Sequence, residues 1–394
     1  MAPDITPEPE AQFERNRQRT HRLWASPASI GPSGSRPPRR VRTRESAPLS
    51  EKDDVKLGLI LANQYPLGES MARRIDEVVE QVDLMRELGY DLLVLGQHHL
   101  ATPYQQPSSV RFLARLAANS SGLRLGITVF LLPLHNPVDI AEQVATLDAI
   151  SHGRMIFGAG LGYRPEEYEA FGIPVQERVP RFVEALDLIT RLWTQDELEF
   201  NGRFYSVPRV QSTIRPIQQP HPPIWLAANQ LNAVRRAARM GYPWIMNPHA
   251  TVSLLKEQMQ HYRDTLREHG HPPPAELPLL REAWVADTRE RAWAEAAPYL
   301  AHKYSVYTAW GQDRVLPSDQ SFERPLEGLA RDRFIIGTAD DLIAETARIR
   351  TELGVTTLIL RIQWPGMDHQ RVLDEIRTIG QAVLPRLADA QPGV

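Results

Sequence analysis

The chain has 394 residues, of which 42% are hydrophobic and 24% are charged, and its formal net charge is −3. These values are typical of globular proteins and argue against a nucleic-acid-binding protein, because phosphate binding needs a surplus of positive charge on one face. The absence of cysteine excludes disulfides, zinc–thiolate and iron–sulfur sites and a cysteine nucleophile. Together with the lack of a signal peptide and of an apolar stretch near the ~18 residues that cross a bilayer, it predicts a cytoplasmic protein without membrane partners.

Residues 1–54 differ from the rest of the chain. They are rich in proline and arginine and poor in apolar residues, a composition typical of segments that do not fold alone. We interpret them as a disordered or extended N-terminal tail. The second interpretation is an arm over a neighbouring subunit, anchored by Leu23 and Trp24. The third is a basic tail for nucleic acid, which ranks last because acidic residues dilute its charge. Residues 55–390 are predicted to form a single domain.

From Lys56 onward, apolar segments of strand length alternate with segments of helical periodicity. Three junctions, LGYDLLVL, MGYPWIM and LGVTTLIL, share a glycine between a helix and the next strand. Repeated βα units predict a parallel α/β sheet, and eight of them favour a closed (β/α)₈ TIM barrel. A doubly wound open sheet is the alternative, but no glycine-rich loop follows the first strand. The predicted strands are Lys56–Ala62, Tyr90–Leu95, Leu123–Leu132, Met155–Ala159, Ile224–Ala228, Pro243–Met246, Leu277–Ala286 and Thr356–Leu360.

Three longer segments interrupt this alternation. Gly162–Ile173 follows the fourth strand, Gln195–Pro223 contains a predicted hairpin that turns at Asn201–Gly202, and His302–Arg333 follows the seventh helix. In a barrel, long additions usually belong to the βα loops at the catalytic face, so we expect a substrate lid among them. The predicted helices are Met71–Leu88, Val110–Ala118, Pro137–Ile150, Val179–Trp193, Ala233–Met240, Val252–Glu268, Arg289–Ala301, Ala339–Leu353 and His369–Val383.

Polar or glycine-rich stretches follow three of the predicted strands. After the second, His98 and His99 are adjacent, so they point to opposite faces, and without a third ligand at metal spacing we favour a non-metal role. After the fourth, we interpret the glycines of GAGLGY as letting a flat ligand lie close to the backbone, with a tight turn as the alternative. After the fifth, Asn229 or Asn232 is predicted to cap the helix, in preference to a phosphate bound there.

The sequence shows neither a serine in a nucleophile elbow nor paired carboxylates at strand ends of the kind that a glycosidase needs. A barrel without an evident metal, nucleophile or acid pair suggests that a bound cofactor carries the chemistry.

Several stretches together resemble the bacterial-luciferase-like family of flavin-dependent oxidoreductases and monooxygenases. The resemblance rests on the order and spacing of motifs between about Lys56 and Leu384. It implies a (β/α)₈ barrel that binds FMN, or in a sister branch the deazaflavin F420, at its C-terminal mouth. The stretches are KLGLILANQYP, GYDLLVLGQHHL, LRLGITVFLLPLHNPVDIAEQVATLDAISHGRMIFGAGLGYRPEEYEAFGI, LEFNGRFYSV, PPIWLAANQ and GTADDL…LGVTTLILRIQWPGM.

The resemblance also implies roles for particular positions. His98 matches the active-site histidine of the light-emitting members, which implies acid–base catalysis. Thr128 would lie under the flavin ring, where many members have a non-proline cis peptide, here Thr128–Val129. Weaker candidates for lining the substrate site are Gln97, Arg361 and Trp364, the alternative for Trp364 being packing against Pro365. The other implied cofactor-binding residues are Ala62 and Asn63 beside the ring, Gly160, Leu161, Gly162 and Tyr163 along the flavin chain, and Ala228, Asn229, Gln230 and Ala233 at the phosphate.

Four positions depart from the pattern of the light-emitting members. Leu161 replaces a phosphate-binding arginine, Ala233 replaces a hydroxyl residue, Gly160 replaces a reactive cysteine, and Gln97 stands where glutamate is common. We therefore expect no luciferase activity and a loosely held FMN. Loose binding suits an enzyme that receives reduced flavin from a separate reductase.

The resemblance thus implies a two-component monooxygenase. Reduced FMN from an NAD(P)H:flavin reductase would react with O₂ to give a C4a-(hydro)peroxyflavin, and the barrel would exclude water while a small organic substrate is oxygenated. The alternatives are a deazaflavin-dependent oxidoreductase that transfers hydride and a flavin-binding protein without turnover. We expect a homodimer or homotetramer without a metal, and the sequence does not identify the substrate.

Overall fold

Eight parallel strands, numbered β1 to β8 in chain order, form the wall of a barrel in the computed structural model, which describes residues 55–317 and 320–389. Neighbours pair in the order β6, β5, β4, β3, β2, β1, β8 and β7, and a parallel bridge from Met246 to Leu279 closes the ring. The predicted (β/α)₈ barrel is confirmed, whereas the predicted tail 1–54 lies outside the described residues. The strands are Lys56–Ile60, Leu92–Leu95, Arg124–Leu131, Met155–Gly160, Ile224–Ala227, Trp244–Ile245, Pro278–Val285 and Thr357–Arg361.

The barrel strands are apolar on both faces because helices cover them outside and side chains fill them inside. All four residues of β2, Leu92–Leu95, are buried, as are all eight of β7, Pro278–Val285. Continuous apolar segments of this kind are typical of parallel sheets with both faces covered. The helices, α1 to α12, are Met71–Leu88, Ser109–Ala117, Pro137–Ile150, Pro165–Ala170, Arg178–Thr194, Leu231–Arg239, Val252–Glu268, Arg289–Ala309, Leu326–Ala330, Ala339–Leu353, His369–Ala382 and Leu384–Asp389.

Helix ends follow the local signals in the sequence. Gly89 and Gly354 have left-handed φ values of 81° and 76° after α1 and α10, which side chains with a Cβ rarely adopt. The side chain of Asn136 accepts a hydrogen bond from the Val138 amide before α3. Thr338 and Asp341 form a capping box at the start of α10. The predicted bounds of α1, α7 and α10 are therefore confirmed.

The three interruptions contain more regular structure than the sequence predicts. Helix α8 continues past Ala301 to Ala309, so the first part of the predicted interruption His302–Arg333 is helical. Just after the third interruption, a short strand, Ile335–Gly337, pairs in parallel with the end of β7. Helix α4 lies within the first interruption. The predicted hairpin is confirmed, with antiparallel strands Glu197–Asn201 and Ser206–Gln211, and a second small pair joins Tyr65–Pro66 to Tyr104–Gln105.

Candidate active site

Side chains just after β1 and β2 connect neighbouring strand ends at the C-terminal mouth of the barrel. Asn63 Nδ2 donates to the Gly96 carbonyl at 2.6 Å, and the Ala62 carbonyl accepts from the Tyr65 hydroxyl at 2.7 Å. Gln97 Oε1 accepts from the Leu131 amide at 2.8 Å. Gln97 is buried, so its side chain connects β2 to β3 at this end of the barrel.

The pairing of β3 with β4 is irregular beneath the mouth. The Thr128–Val129 peptide is cis, as the resemblance implies, and the pairing register shifts there. A Cβ on Gly158 would lie 2.6 Å from the Ile127 carbonyl oxygen, and one on Gly160 would lie 2.5 Å from Val129 Cγ2. These two glycines therefore make room for β3, and their role in letting a flat ligand lie close to the backbone stays a prediction.

His98 is paired with a carboxylate that sequence patterns did not reveal. Its Nδ1 lies 3.1 Å from Glu167 Oε1, and the same oxygen accepts the His99 amide at 2.7 Å. Glu167 comes from α4 and is 0% exposed, whereas 15% of the His98 side chain is exposed. The insertion after β4 thus brings a buried carboxylate to the histidine after β2. In the sequence, Glu167 is visible only as one of the two glutamates of PEEYEA, and that pattern does not indicate which residue the carboxylate contacts.

The charge of Glu167 is maintained by its neighbours. Burial would raise the pKa of this carboxyl, but the His98 hydrogen bond and charge, the His99 amide and Arg164 together hold it below its usual value. Arg164 lies 3.8 Å from Glu167 Oε1 and donates to the His99 carbonyl at 2.8 Å. Glu167 therefore faces His98 as a carboxylate.

The two other histidines nearby are suited to the neutral form. Burial, with a smaller contribution from the neighbouring His99, lowers the pKa of His135 to about 4. Burial also lowers the pKa of His99. His98 is the member of this group that hydrogen-bonds a carboxylate through its side chain. The buried carboxylate therefore orients the His98 ring at the mouth.

Aromatic rings surround His98 on the side of the mouth formed by α8. The His98 ring centroid lies 5.5 Å from that of Tyr163 and 5.4 Å from that of Trp310. Tyr307 stacks on Trp310 at 5.3 Å, and its hydroxyl donates to Gln64 Oε1 at 3.1 Å. Helix α8, which extends into the third predicted interruption, and Trp310 at its end therefore supply an aromatic wall beside His98.

Several polar groups at the positions implied for a flavin are free to bind one. Thr128 Oγ1 and the Tyr163 hydroxyl are buried without a hydrogen-bond partner among the described residues. Gln230, not Asn229 or Asn232, is the N-cap residue of α6, and its side chain forms no capping hydrogen bond, so our predicted asparagine cap is wrong. The first amides of α6 thus lack the side-chain acceptor that a cap would provide, which fits a phosphate.

Other implied positions make contacts within the protein. The Leu161 carbonyl accepts from the Tyr168 hydroxyl, and the Asn229 carbonyl accepts from Gln258 Nε2. The Ala228 carbonyl accepts from Trp244 Nε1 at 3.0 Å. Gly162 has a φ of 77°, and Ala233 is partly buried against the core. These residues shape the turns after β4 and β5 without adding a positive charge for a phosphate.

A buried charged cluster lies at the ends of β7 and β8, and the sequence analysis missed most of it. Glu282 is 0% exposed and forms an ion pair with Lys303, which is 1% exposed. Trp364 Nε1 donates to Glu282 Oε2 at 2.6 Å, and Trp364 is itself 1% exposed, so it packs in this cluster instead of lining open space. Arg361 Nε lies 3.9 Å from Glu282 Oε1. The available signal was the charged pair Arg281–Glu282 within an otherwise apolar strand.

Among the described residues, no group of three or more histidine, aspartate or glutamate side chains is arranged to hold a metal ion. Over the same residues, no helix is both long and apolar enough to cross a membrane.

Known proteins of similar sequence include both flavin and deazaflavin enzymes. The oxygenase component of flavin-dependent trigonelline monooxygenase from Acinetobacter baylyi is 30% identical over 60% of this chain and 66% of its own length. An uncharacterized protein of Sinorhizobium fredii is 31% identical, and the match spans about half, 52%, of its length. An F420-dependent glucose-6-phosphate dehydrogenase from Amycolatopsis mediterranei is 26% identical over 79% of this chain and 94% of its own.

Solved structures of similar fold include two monooxygenases. RslO1 from Streptomyces bottropensis aligns with a TM-score of 0.75 at 24% identity, over 84% of this chain and 99% of its own. The oxygenating constituent of 3,6-diketocamphane monooxygenase from Pseudomonas putida, in complex with FMN, aligns with a TM-score of 0.71 at 18% identity, over 84% and 99%. The model of the family described as luciferase-like monooxygenase matches residues 55–357. This match, which spans most of the barrel described above, shows that the chain belongs to the luciferase-like monooxygenase family.

Proposed function

We propose that the protein is a monooxygenase that uses reduced FMN and O₂ to oxygenate a small organic substrate. The observation that carries the proposal is the pair of His98 and the buried carboxylate of Glu167 at a mouth with unpartnered polar groups. Family membership supports it, as do the names of the trigonelline relative and the FMN-bound diketocamphane enzyme.

The residues that would hold FMN lie on one half of the mouth. Thr128 and Tyr163 offer free hydroxyls for the ring and its side chain, and the amides that begin α6 after Gln230 would receive the phosphate. Bound FMN, once reduced, supplies the electrons that activate O₂. The protein supplies binding, orientation and the exclusion of water.

His98 would hold and move the proton that the reaction requires. With Nδ1–H donated to Glu167, Nε2 is the atom that faces a ligand, and the ionised carboxylate stabilises the ring when Nε2 becomes protonated. Tyr163 and Trp310 border the ring on two sides and restrict the approach of water. The same imidazole then serves as base and as acid in successive steps.

We also propose that reduced FMN arrives from a separate NAD(P)H:flavin reductase. Leu161 and Ala233 offer neither a positive charge nor a hydroxyl to the phosphate, so the bound flavin depends on helix amides and on contacts with the ring. Such a site exchanges flavin readily. The description of the trigonelline relative as an oxygenase component supports this division of labour.

Binding titrations test the choice of cofactor. The purified protein is titrated with FMN and F420 in air, and with FMNH₂ under anaerobic conditions, while flavin fluorescence or absorbance is recorded. We expect FMNH₂ to bind more tightly than FMN and F420 to bind weakly. The resemblance to an F420-dependent dehydrogenase makes hydride transfer the second candidate, and tight binding of F420 alone would establish that candidate instead.

A further inference from the structure

The charged cluster around Glu282 contains more positive than negative groups. Oε1 of Glu282 forms the ion pair with Lys303 and lies 3.9 Å from Arg361 Nε. Oε2 accepts a hydrogen bond from Trp364 Nε1. A single carboxylate therefore faces two cations. Glu282 comes from β7, Lys303 from α8 and Arg361 from the end of β8, so the side chains of three elements meet at the mouth.

Below pH 7 both cations carry charge. Burial and the charge of Arg361 lower the pKa of Lys303 more than Glu282 raises it, so that the net value is about 7. Arg361 stays protonated, because Tyr307, Glu282 and Tyr304 outweigh the effect of burial on its pKa. One surplus positive charge among buried groups costs free energy until a negative group joins it.

Arg361 is the less enclosed of the two cations. Its side chain is 18% exposed, whereas that of Lys303 is 1% exposed. Its Nε is buried without a hydrogen-bond partner within residues 55–317 and 320–389, and the Tyr307 hydroxyl, which donates to Gln64, is its hydrogen-bonding neighbour. The Arg361 side chain is therefore partly accessible beside an aromatic wall and has a donor that the protein leaves unpaired.

Arg361 lies across the mouth from most of the positions that would hold FMN. Those positions lie on or after β3, β4 and β5, with Ala62 and Asn63 after β1, whereas Arg361 ends β8, which pairs with β1 and β7. We infer that Arg361 binds an acidic oxygen of the substrate, a carboxylate or an ionised phenol or enol, with its planar guanidinium. That the bound anion is a substrate depends on the proposed function. The binding of an anion at Arg361 can be tested without any cofactor.

Thermal unfolding of the flavin-free protein below pH 7 tests the site, with benzoate as the anionic probe and benzamide as its neutral counterpart. We expect benzoate to raise the melting temperature by several degrees and benzamide to leave it unchanged. Arg361→Gln should abolish the benzoate shift, and Arg361→Lys should retain part of it. Arg377→Gln, which changes an exposed arginine of α11 paired with Asp374, should behave as the wild type.

The variant also separates a binding role from a structural one. Without a ligand, Arg361→Gln leaves the Glu282–Lys303 pair balanced, so we expect it to melt no earlier than the wild type. Earlier melting would assign Arg361 to the stability of the cluster and would overturn the inference. So would an equal benzoate shift in Arg361→Gln, or no shift in the wild type.

A flavin titration distinguishes a substrate anion from the anionic flavin. We expect Arg361→Gln to bind FMN and FMNH₂ with affinities within about threefold of the wild type, and benzoate not to displace FMN. Displacement of FMN by benzoate, or loss of FMNH₂ binding in the variant, would place the anion in the flavin site and overturn the inference. Exclusive binding of F420 would instead contradict the proposed monooxygenase while leaving the anion site in place.

Discussion

Two carboxylates lie at opposite ends of strand β7, and their pKa values are shifted in opposite directions. Glu276, before β7, is partly buried; it accepts from both terminal nitrogens of Arg124 and from Trp225 Nε1, and Lys56 lies 3.6 Å away. Burial would raise its pKa, but these partners hold the pKa below its usual value. Glu375 comes from α11 and is buried; it accepts the Val285 amide at the other end of the strand, and burial raises its pKa to about 8.

The two faces of the barrel also differ in whether their polar groups have partners. At the N-terminal face, charged groups satisfy one another and join the strands β1, β3, β5 and β7. At the mouth, Thr128, Tyr163 and Arg361 keep polar atoms without hydrogen-bond partners in the described part of the chain. A polar group left unpartnered in a folded protein costs free energy, and a ligand that hydrogen-bonds it would recover that cost. Stability and ligand binding thus lie at opposite ends of the same strands.

The largest expected effect is on chemistry at the mouth. His98→Ala should lower the rate of substrate oxygenation by roughly 10²–10⁴-fold, which is the usual contribution of a general acid–base group, with little change in melting temperature. The measurement is turnover under saturating reduced FMN. His269→Ala, at the far end of α7, is the control. An unchanged rate in the His98 variant would remove this residue from the catalytic assignment.

At the opposite face, the effect should fall on stability alone. Glu276→Gln leaves Arg124 and Lys56 facing a neutral amide, and we expect it to lower the free energy of unfolding by about 3 kcal/mol. Urea unfolding measures the change, and FMN affinity should stay constant. The control Glu197→Gln breaks an exposed ion pair with Arg209 and should cost at most about 0.5 kcal/mol. Weaker FMN binding in Glu276→Gln would mean that the two faces are coupled.

Glu375 should give the protein a stability that falls as the pH rises. Its folded pKa of about 8 lies above the usual carboxyl value of 4.5, so between these values the folded state holds a proton that the unfolded state has lost. The free energy of unfolding should then fall by roughly 1.4 kcal/mol per pH unit from this group. Glu375→Gln should remove that slope and stabilise the protein near pH 8. The exposed Asp374→Asn change on the same helix should not, and an unaltered slope in Glu375→Gln would show that another group titrates.

The smallest expected effect concerns the partner of His98. Glu167→Gln should lower turnover on the order of tenfold, because a neutral amide stabilises a protonated imidazole less than a carboxylate does. The pH–rate profile should also shift toward lower pH, which a purely structural role would not produce. Glu166→Gln changes the exposed neighbour on α4 and serves as the matched control. If Glu167→Gln lowered the rate equally at every pH, without a shift of the pH–rate profile, Glu167 would have only a packing role.

Local patterns predicted the barrel well and the site only in part. The bounds of α1, α7 and α10 follow from periodicity and from caps such as Gly89, because these signals lie within a few residues of one another. The strand Ile335–Gly337 was missed because its three residues are ordered by pairing with β7. Helix α8 continues through Pro298, which cannot donate a backbone hydrogen bond. Packing of the buried face of α8, which includes Tyr304, outweighs the loss of that hydrogen bond.

The same limit applies to the side chains of the site. His98 was identified by resemblance, but its partner Glu167 is 69 residues away and comes from an insertion. The contacts of Glu282 with Lys303 and Trp364 span 21 and 82 residues. No rule based on local spacing connects such residues, and only the folded barrel brings them together.

The extension of α8 has a consequence for how new specificities arise. Lys303, Tyr307 and Trp310 recur at intervals of four and three residues, so one face of one helix supplies the cluster cation and the aromatic wall. The positions implied for the flavin come from other segments of the chain. Exchange of a single helix between relatives would therefore alter the shape and charge available to a substrate while leaving the redox half intact, and this makes residues 299–310 the natural segment for directed recombination.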